Sequence, residues 1–597
     1  MDGNIMPPTD RPKEKTEKDS KFLSDIKNRY TIASDAWRDI YTKAEDDTRF
    51  AYDVGEGQWP DAIRHSKQNS NKPCLTINKL QKYIRRLRGE MQMNRPHMKV
   101  IPVDDKADVQ RAEIYNGIIR QLEYLSNASV AYDTAYNHAV TGGVGYWRIL
   151  TDYVDDDSFD QEIKIKRIIN PFSVYFDPSA KEFNFEDAKY CFITDLMEVD
   201  EYKAQYPDSS LAEFEGVNEY DETEWLYEDK VRIAEYFYKE PHTVTKVLLD
   251  SGEVLPLEDG VTKESLEEQG EKIADTREVT EERIMWCKLN GVEVIEGPTP
   301  WVGKYIPIIP VFGDEVMYRG RRNYLSLIRG AKGSQEMYNY WSTIATESVA
   351  QVPKTPFILE ARQIRGYEEE WNDANTISRP YLRYKHINNV PKPQREQPAT
   401  IQTGIMSMLQ TASFDIEDNL GQYAEASGQP SNARTGKAIQ LRINQSDKGN
   451  YTFGDNLTRA MVYSGKQIIN LIPKIYDSTR TVLTMDETGN AEITEINKPE
   501  ILMTNTGPQS TVKNDLSVGR YDLIAIAGPS YGSRRQEMMQ MITEAMQYAK
   551  SPEISAVLTP LLFEYSDYPG ATKVAGMLKQ AIGQTQQNGV PPEGDSR

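Results

Sequence analysis

The sequence predicts an α+β chain with a mainly helical middle, and three observations carry that prediction. Several stretches place apolar residues at steps of three and four, the spacing that builds one buried helical face. Others alternate along the chain and are rich in aromatic and β-branched residues, as strands are. A polar, glycine-bearing segment, GQYAEASGQPSNARTGKAIQLRINQSDKGN at 421–450, then separates two helical patterns.

The elements follow in order. Residues 1–20 are polar and predict disorder. From Phe22, the series Ile26, Tyr30, Ala33, Trp37, Ile40 and Ala44 predicts a helix. A second begins near Asn78, with Leu80, Tyr83, Ile84, Leu87 and Met91 on one face, and a third spans about 107–126. A fourth, over 128–141, ends at Gly142–Gly143. Strand patterns follow in GYWRILTDYV and EIKIKRII, separated by the acidic turn Asp155–Asp157, and then in NPFSVYFDP. Residues 198–228 are acidic, with room for one short helix; two strands are expected at 231–238 and 243–249. Residues 250–281 are charged and read as an insertion. RIMWCKLNG and VEVIEG form a hairpin around Asn290–Gly291. The prolines of IPIIPVF confine it to an edge strand or a loop.

No proline occurs from Arg321 to Gln351, where a helix is expected until Pro353. Six prolines then mark 353–398 as a compact non-helical module. A helix resumes near 399 and runs to the polar segment. Beyond it a long helical pattern reaches Tyr476, with Phe453, Leu457, Met461, Ile468 and Ile472 on one face. Strands and turns are expected over 480–527. A capping box at Ser533 and Gln536 starts another helix, and Ser551–Pro552–Glu553 a further one. The Gln-, Gly- and Pro-rich tail after Ile582 predicts disorder.

The net charge of −21 argues against a protein that coats nucleic acid. It is compatible with duplex DNA sliding past, because phosphate contacts dominate affinity and tight attachment would hinder passage. Three dispersed cysteines, Cys74, Cys191 and Cys287, fit neither a disulfide framework nor a zinc site, and point to a reducing compartment. The N-terminus has no apolar core of a secretory signal, and no run approaches the length of a membrane span.

The segment GQPSNARTGKA fails as a phosphate loop. Seven residues separate its glycines where four are needed, and Ala438 follows Lys437 where Ser or Thr is required. Gly142–Gly145 follows a helix and precedes a strand, the reverse of a dinucleotide fold, so a close helix-to-sheet turn is expected. Asp155–Asp157 reads as a turn, and the five histidines have no ligand spacing. No nucleophile elbow occurs. Catalytic, cofactor-binding and metal-binding residues are therefore expected to be absent.

Residues 72–99 carry eight Lys and Arg residues against one acid, Glu90. The candidates are Lys82, Arg85, Arg86 and Arg88. Contact with DNA, contact with a neighbouring subunit and a solvated helix face all stay open for them.

Several motifs in order resemble the portal (head-to-tail connector) family of short-tailed, podovirus-type bacteriophages. YLSLIRGAKGSQEMYNYWSTIATESVAQVPKTPFIL (324–359) resembles the family's first stem helix, and GYEEEWNDANTISRPYLRYK (366–385) its clip. EASGQPSNARTGKAIQLRINQ (425–445) resembles its tunnel loop, here with Thr435–Gly436–Lys437–Ala438–Ile439. FGDNLTRAMVYSGKQIINLIPKIYDSTR, RYDLIAIAGPSYGSRRQEMMQMI, NKLQKYIRRLRGEMQMNRP and AVTGGVGYWRI are also similar. The C-terminus departs from members that end in a long helical barrel.

The resemblance implies an α+β portal fold. A disordered arm (1–20) precedes a wing, helical over 21–142 and strand-rich over 143–320. A first stem helix (321–352), a clip (353–398), a second stem helix (399–425), a tunnel loop (426–437) and a long wing helix (438–476) follow. A strand-rich wing segment (477–530), short crown helices (531–581) and a disordered tail (582–597) complete it. It implies a non-enzymatic ring, usually of twelve subunits, at one capsid vertex of a virion assembled in the host cytoplasm. Double-stranded DNA would pass through it without sequence specificity during packaging and ejection. The implied partners are the large terminase, a tail adaptor, and the major capsid and scaffolding proteins, with no membrane. Ser431, Asn432, Arg434 and Lys437 become candidates for the channel, and Tyr367, Trp371, Arg379 and Arg383 for terminase and adaptor docking. Stem helices rich in Ser, Gln, Asn and Thr are expected to face water. The alternatives are a nucleic-acid-processing or packaging enzyme (ATPase or nuclease), and a capsid or adaptor protein without a DNA channel.

Overall fold

The computed structural model describes residues 17–53, 56–93, 95–103, 108–155, 157–207, 209, 225–227, 230–249, 254–257, 273–351, 355–396, 403–421, 451–485, 491–504, 507–526, 541–547, 558–560, 562, 574 and 577–578. These fall into two compact units. The first takes its residues from Met1–Arg85, Leu122–Ala460 and Asn470–Ile475, the second from Arg86–Gln121, Met461–Ile469 and Tyr476–Arg597.

The chain begins with α1 (Glu17–Tyr52), α2 (Asp61–Asn69), α3 (Leu80–Met93), β1 (His97–Pro102), α4 (Val109–Leu125) and α5 (Ala128–Gly142). Next come β2 (Val144–Tyr153), β3 (Gln161–Arg167), β4 (Val174–Phe176), β5 (Tyr190–Glu198), α6 (Val199–Gln205), β6 (Leu226–Tyr227), β7 (Lys230–Leu249) and β8 (Val254–Leu257). They are followed by β9 (Ile273–Leu289), β10 (Val294–Pro300), β11 (Ile308–Phe312), β12 (Asp314–Tyr318), β13 (Arg321–Leu325) and α7 (Lys332–Gln351). The remainder is β14 (Phe357–Ile358), α8 (Glu368–Asn372), β15 (Gln394–Arg395), α9 (Thr403–Leu420), α10 (Tyr451–Ile475), β16 (Arg480–Met485), β17 (Ala491–Ile496), β18 (Lys498–Thr504), β19 (Gly507–Lys513) and β20 (Tyr521–Ile526).

In the first unit, α1 buries Ile26, Tyr30, Ala33, Trp37, Tyr41 and Ala44 along the stripe that the spacing predicts. That stripe packs on an antiparallel sheet ordered β10-β9-β7-β5-β4, with β6 and β8 also paired to β7. Trp37 Nε1 donates to the Phe176 carbonyl at 3.0 Å, so the helix is tied to β4 by hydrogen bonding as well as by burial. A second sheet runs β11-β2-β3. Its helix-to-strand entry is close. Gly143 adopts φ +88°, and a Cβ on Gly145 would lie 2.0 Å from the Ala135 carbonyl oxygen. The Gly-rich stretch is thus the tight helix-to-sheet turn that its order predicts.

Three expectations need correction. The strands expected at 231–238 and 243–249 are one strand, β7. Its Pro241 sits where β7 has only β9 as a partner, opposite Glu282, so the missing N–H breaks no ladder. Part of the charged stretch 250–281 is strand: Ile273–Glu281 pairs with β7 in register, and its charges sit on an exposed ribbon. Finally, the proline-free stretch from Arg321 does not start as helix. Arg319 and Gly320 adopt positive φ, which turns β12 into β13, and α7 begins only at Lys332. The prolines of β11 are accommodated as expected, because β11 is an edge strand.

The second unit contains α4 residues up to Gln121, the pair β1–β20, and the hairpins β16–β17 and β18–β19. Asn116, buried in α4, accepts from the Val100 N–H at 2.7 Å. Tyr115 donates to the Leu516 carbonyl at 2.6 Å and packs on Tyr521. Gly117 lets α4 approach Thr484, whose Cβ would lie 2.5 Å from an added Cβ. The expected second-stem, long-helix and strand-rich segments contain α9, α10 and β16–β20. Most of the segment expected to hold crown helices, including the Ser533 and Gln536 capping box, lies outside the described residues.

Candidate functional site

The helices α7 and α9 lie side by side within the first unit, where Asn419 donates to Ser334 at 2.9 Å. The buried side chains of α7 are Gln335, Asn339, Ser342 and Thr343, all polar. A polar buried face requires partners, since an unpaired buried amide costs about 1–3 kcal/mol. The extended segment 72–79 supplies them for Gln335, Asn339 and Thr343, whereas Ser342 Oγ is buried without a partner among the described residues. The N–H groups of Leu75, Ile77 and Lys79 donate to Thr343 Oγ1 at 3.1 Å, Asn339 Oδ1 at 3.0 Å and Gln335 Oε1 at 3.1 Å. Gln335 returns a bond to the Ile77 carbonyl at 2.9 Å, and Asn339 donates to Gln58 at 2.8 Å.

The match is geometric. Four helical residues rise about 6.0 Å and two extended residues about 6.6 Å, so side chains at i, i+4 and i+8 meet every second backbone amide. Lys79 adds a bond to Ser413 of α9 at 2.6 Å and lies 4.1 Å from the Tyr338 ring centre. The start of α7 is fixed by buried Asp47 of α1, which accepts from Arg329 at 2.8 Å, Lys332 at 2.6 Å and Ser326 at 2.6 Å.

The expectation that the polar residues of these helices face water is reversed for α7 alone; on α9, Ser407, Gln410, Thr411 and Asn419 are exposed. The polar face of α7 is inside, and Met337, Tyr340 and Val349 are exposed. On α9, Ala412, Ile416 and Leu420 are buried, while Met406, Met408 and Phe414 are exposed, Phe414 to 64%.

Residues 355–396 fold on themselves. Phe357 and Ile358 of β14 pair with Arg395 and Gln394 of β15, and Trp371 of α8 meets Phe357 edge-on at 5.2 Å. Trp371 Nε1 donates to the Arg383 carbonyl at 2.7 Å. Arg383 pairs with Glu370 and lies 4.8 Å from the Tyr367 ring centre. Its guanidinium holds the Glu370 carboxyl below the usual range. Buried Gln363 donates to the Pro391 carbonyl at 2.8 Å and accepts from the Lys385 N–H at 2.8 Å through its own carbonyl.

The profile of the Phage P22-like portal protein family matches residues 27–596. The chain belongs to that family. A protein named Portal protein, from Acyrthosiphon pisum secondary endosymbiont phage 1, is 26% identical to it over 534 residues, covering 85% of this chain and 73% of that protein.

In this portal chain the sequence-derived candidates separate into three groups. Tyr367, Trp371 and Arg383 come together, and their contacts hold the 355–396 module closed. Arg379 is exposed near them in sequence and takes no part in that knot. Lys82, Arg85, Arg86 and Arg88 all lie on α3. Lys82 and Arg85 are exposed, whereas Arg86 is half-buried and pairs with Glu90 at 2.6 Å. Ser431, Asn432, Arg434 and Lys437 lie outside the described residues.

The amide-binding ladder on α7 was not singled out from sequence. Its signal is present as polar residues four apart, Gln335, Asn339 and Thr343, at positions where a helix normally buries apolar groups. Burial pushes the Cys287 thiol up to about 12 and raises that of Cys191 well above its ordinary value. No group of three His, Cys, Asp or Glu residues is arranged to hold a metal ion, and no helix is long and apolar enough to cross a membrane, among the described residues.

Proposed function

We propose that copies of this chain assemble into a ring of twelve at one vertex of a phage capsid and that double-stranded DNA passes through its channel during packaging and ejection. The observation that carries this reading is the row of exposed apolar residues on the α7–α9 pair. Internal hydrogen bonds hold Gln335, Asn339 and Thr343 of α7 inside, while Met337, Tyr340, Met408 and Phe414 are left uncovered by the single chain. Contact with neighbouring copies covers such a surface, and a closed ring covers it on every copy.

On this reading α7 and α9 are the stem and residues 353–398 the clip. The clip, rigid through its Trp371 knot, presents exposed Arg379 and Tyr381 to the large terminase and later to a tail adaptor. The wing region meets the major capsid and scaffolding proteins. The segment 426–437 supplies the narrowing of the channel through Ser431, Asn432, Arg434 and Lys437. Passage of DNA needs no base readout, and the chain's net charge of −21 limits phosphate attachment. The protein acts without catalysis; the chemistry of packaging belongs to the motor that docks on it.

Electron microscopy of the purified full chain tests this. The expected image is a ring with an axial hole and twelve subunits. A chain that stays monomeric at every concentration and salt overturns the proposal, and ATP hydrolysis or nuclease turnover by the isolated chain favours the enzymatic alternative.

A further inference from the structure

The β2–β3 hairpin ends in a tip that one copy of the chain leaves uncovered. Phe159 is 95% exposed, and Tyr153 and Val154 beside it are also exposed. Hydrogen bonds tie the described residues of the tip to one another. Val154 N–H donates to the Asp160 carbonyl at 3.0 Å, Ser158 N–H to the Asp155 carbonyl at 3.3 Å, and Asp160 N–H to Ser158 Oγ at 3.0 Å. Exposed Asp155 and Asp157 precede Phe159 in the same tip, and neither has a cationic partner among the described residues. Asp152, one turn back, is already paired with Lys164.

The complementary surface is on α3. Lys82 and Arg85, three residues apart, share an exposed helical face, and Arg88, three residues further on, is half-buried. None of the three has a carboxylate partner among the described residues. Some other cations of the first unit are neutralised locally: Arg321 by Asp39 at 3.0 Å, Arg322 by Glu315 at 2.7 Å and Lys332 by Asp46 at 2.6 Å. Guanidinium planes and lysine stems also give an aromatic ring a surface to stack on.

We propose that the 153–160 tip of each subunit docks on the α3 face of the next, Phe159 packing against the stems of Lys82 and Arg85 while Asp155 and Asp157 pair with their charges. The contact is heterologous: two different surfaces of one chain meet around the ring, as cyclic assembly requires. It rests on the ring reading above and names a pair of surfaces that make the ring. It also assigns the α3 cations to protein rather than to DNA.

Charge reversal in both partners tests it on the full chain, with assembly followed by mass photometry over a concentration series. Lys82→Glu with Arg85→Glu, and separately Asp155→Lys with Asp157→Lys, are each expected to raise the concentration for half-assembly by at least about tenfold. Combining all four restores it to within about threefold of wild type, because the pair is then re-formed with the signs exchanged. Phe159→Ser, at a fully exposed position that leaves the fold intact, is expected to weaken assembly in the same direction. Either double reversal assembling like wild type, or a four-fold variant no better than the two doubles, overturns the contact. Rescue that fails while DNA retention changes only in the α3 variant reassigns those cations to DNA and overturns it too. A wild-type chain that never leaves the monomer overturns the ring reading and this contact together, whereas wild-type rings beside unaffected variants overturn the contact alone.

Discussion

His138 shows how one enclosed side chain sets a pH limit on the fold. It lies in α5, half-buried, and its Nδ1 is enclosed without a hydrogen-bond partner among the described residues. Burial lowers its pKa to about 4, against an ordinary value near 6.5. The unfolded chain therefore binds a proton between those values that the folded chain refuses. Stability from this site is complete above about pH 6.5 and is lost as pH falls toward 4, at a cost of roughly 2 kcal/mol by pH 5. Replacing His138 with Gln removes the titration. Thermal melts from pH 7 to pH 4.5 are expected to fall less steeply for the variant than for wild type, and equal slopes rule His138 out as the cause. The sequence places five histidines and ranks none of them, because enclosure is made by the packing of segments distant in sequence.

At the scale of elements, periodicity located most of the helices and strands, and it misjudged what their faces do. The buried stripe of α1 was legible because apolar residues at helical spacing have one physical use in a helix that packs on a sheet. The buried face of α7 was not, because Gln335, Asn339 and Thr343 carry the polarity of a wet surface. Only the extended segment at 72–79 reveals that this polarity is spent on backbone amides. The same blindness hid the role of Trp371, Tyr367 and Arg383, which look like surface anchors in sequence and hold the 355–396 module together in the fold. Asn339→Leu tests the ladder. It strips partners from the Ile77 N–H and from the amides of Gln58 and Gln335, and is expected to cost about 3 kcal/mol. Hydrogen exchange is the direct readout: the Leu75, Ile77 and Lys79 amides are protected in wild type and exchange on the order of a hundredfold faster in the variant. Unchanged protection at all three amides means that the segment is held by something else.

At the scale of the whole molecule, two opposed terms decide whether copies assemble. Each chain carries −21, so like copies repel, and screening confines that repulsion to about 8 Å at physiological salt. Assembly therefore depends on short-range burial, and the exposed apolar residues of α7 and α9 are one place where it is available. A fully buried Met or Phe contributes roughly 1.5–3 kcal/mol, and a closed ring repeats each contribution at every interface. Met337→Asp with Phe414→Asp reverses this locally. Both side chains are exposed in the single chain, at 50% and 64%, so folding stability is expected to change by no more than about 0.5 kcal/mol at each. Assembly, by contrast, then requires burying two unpaired carboxylates per interface, each costing several kcal/mol. The expected outcome is a folded monomer: thermal midpoint near that of wild type, and sedimentation at the mass of one chain where wild type sediments as a ring. Rings formed by this double variant at wild-type concentrations mean that the exposed apolar residues of this helix pair are covered by something other than a neighbouring copy.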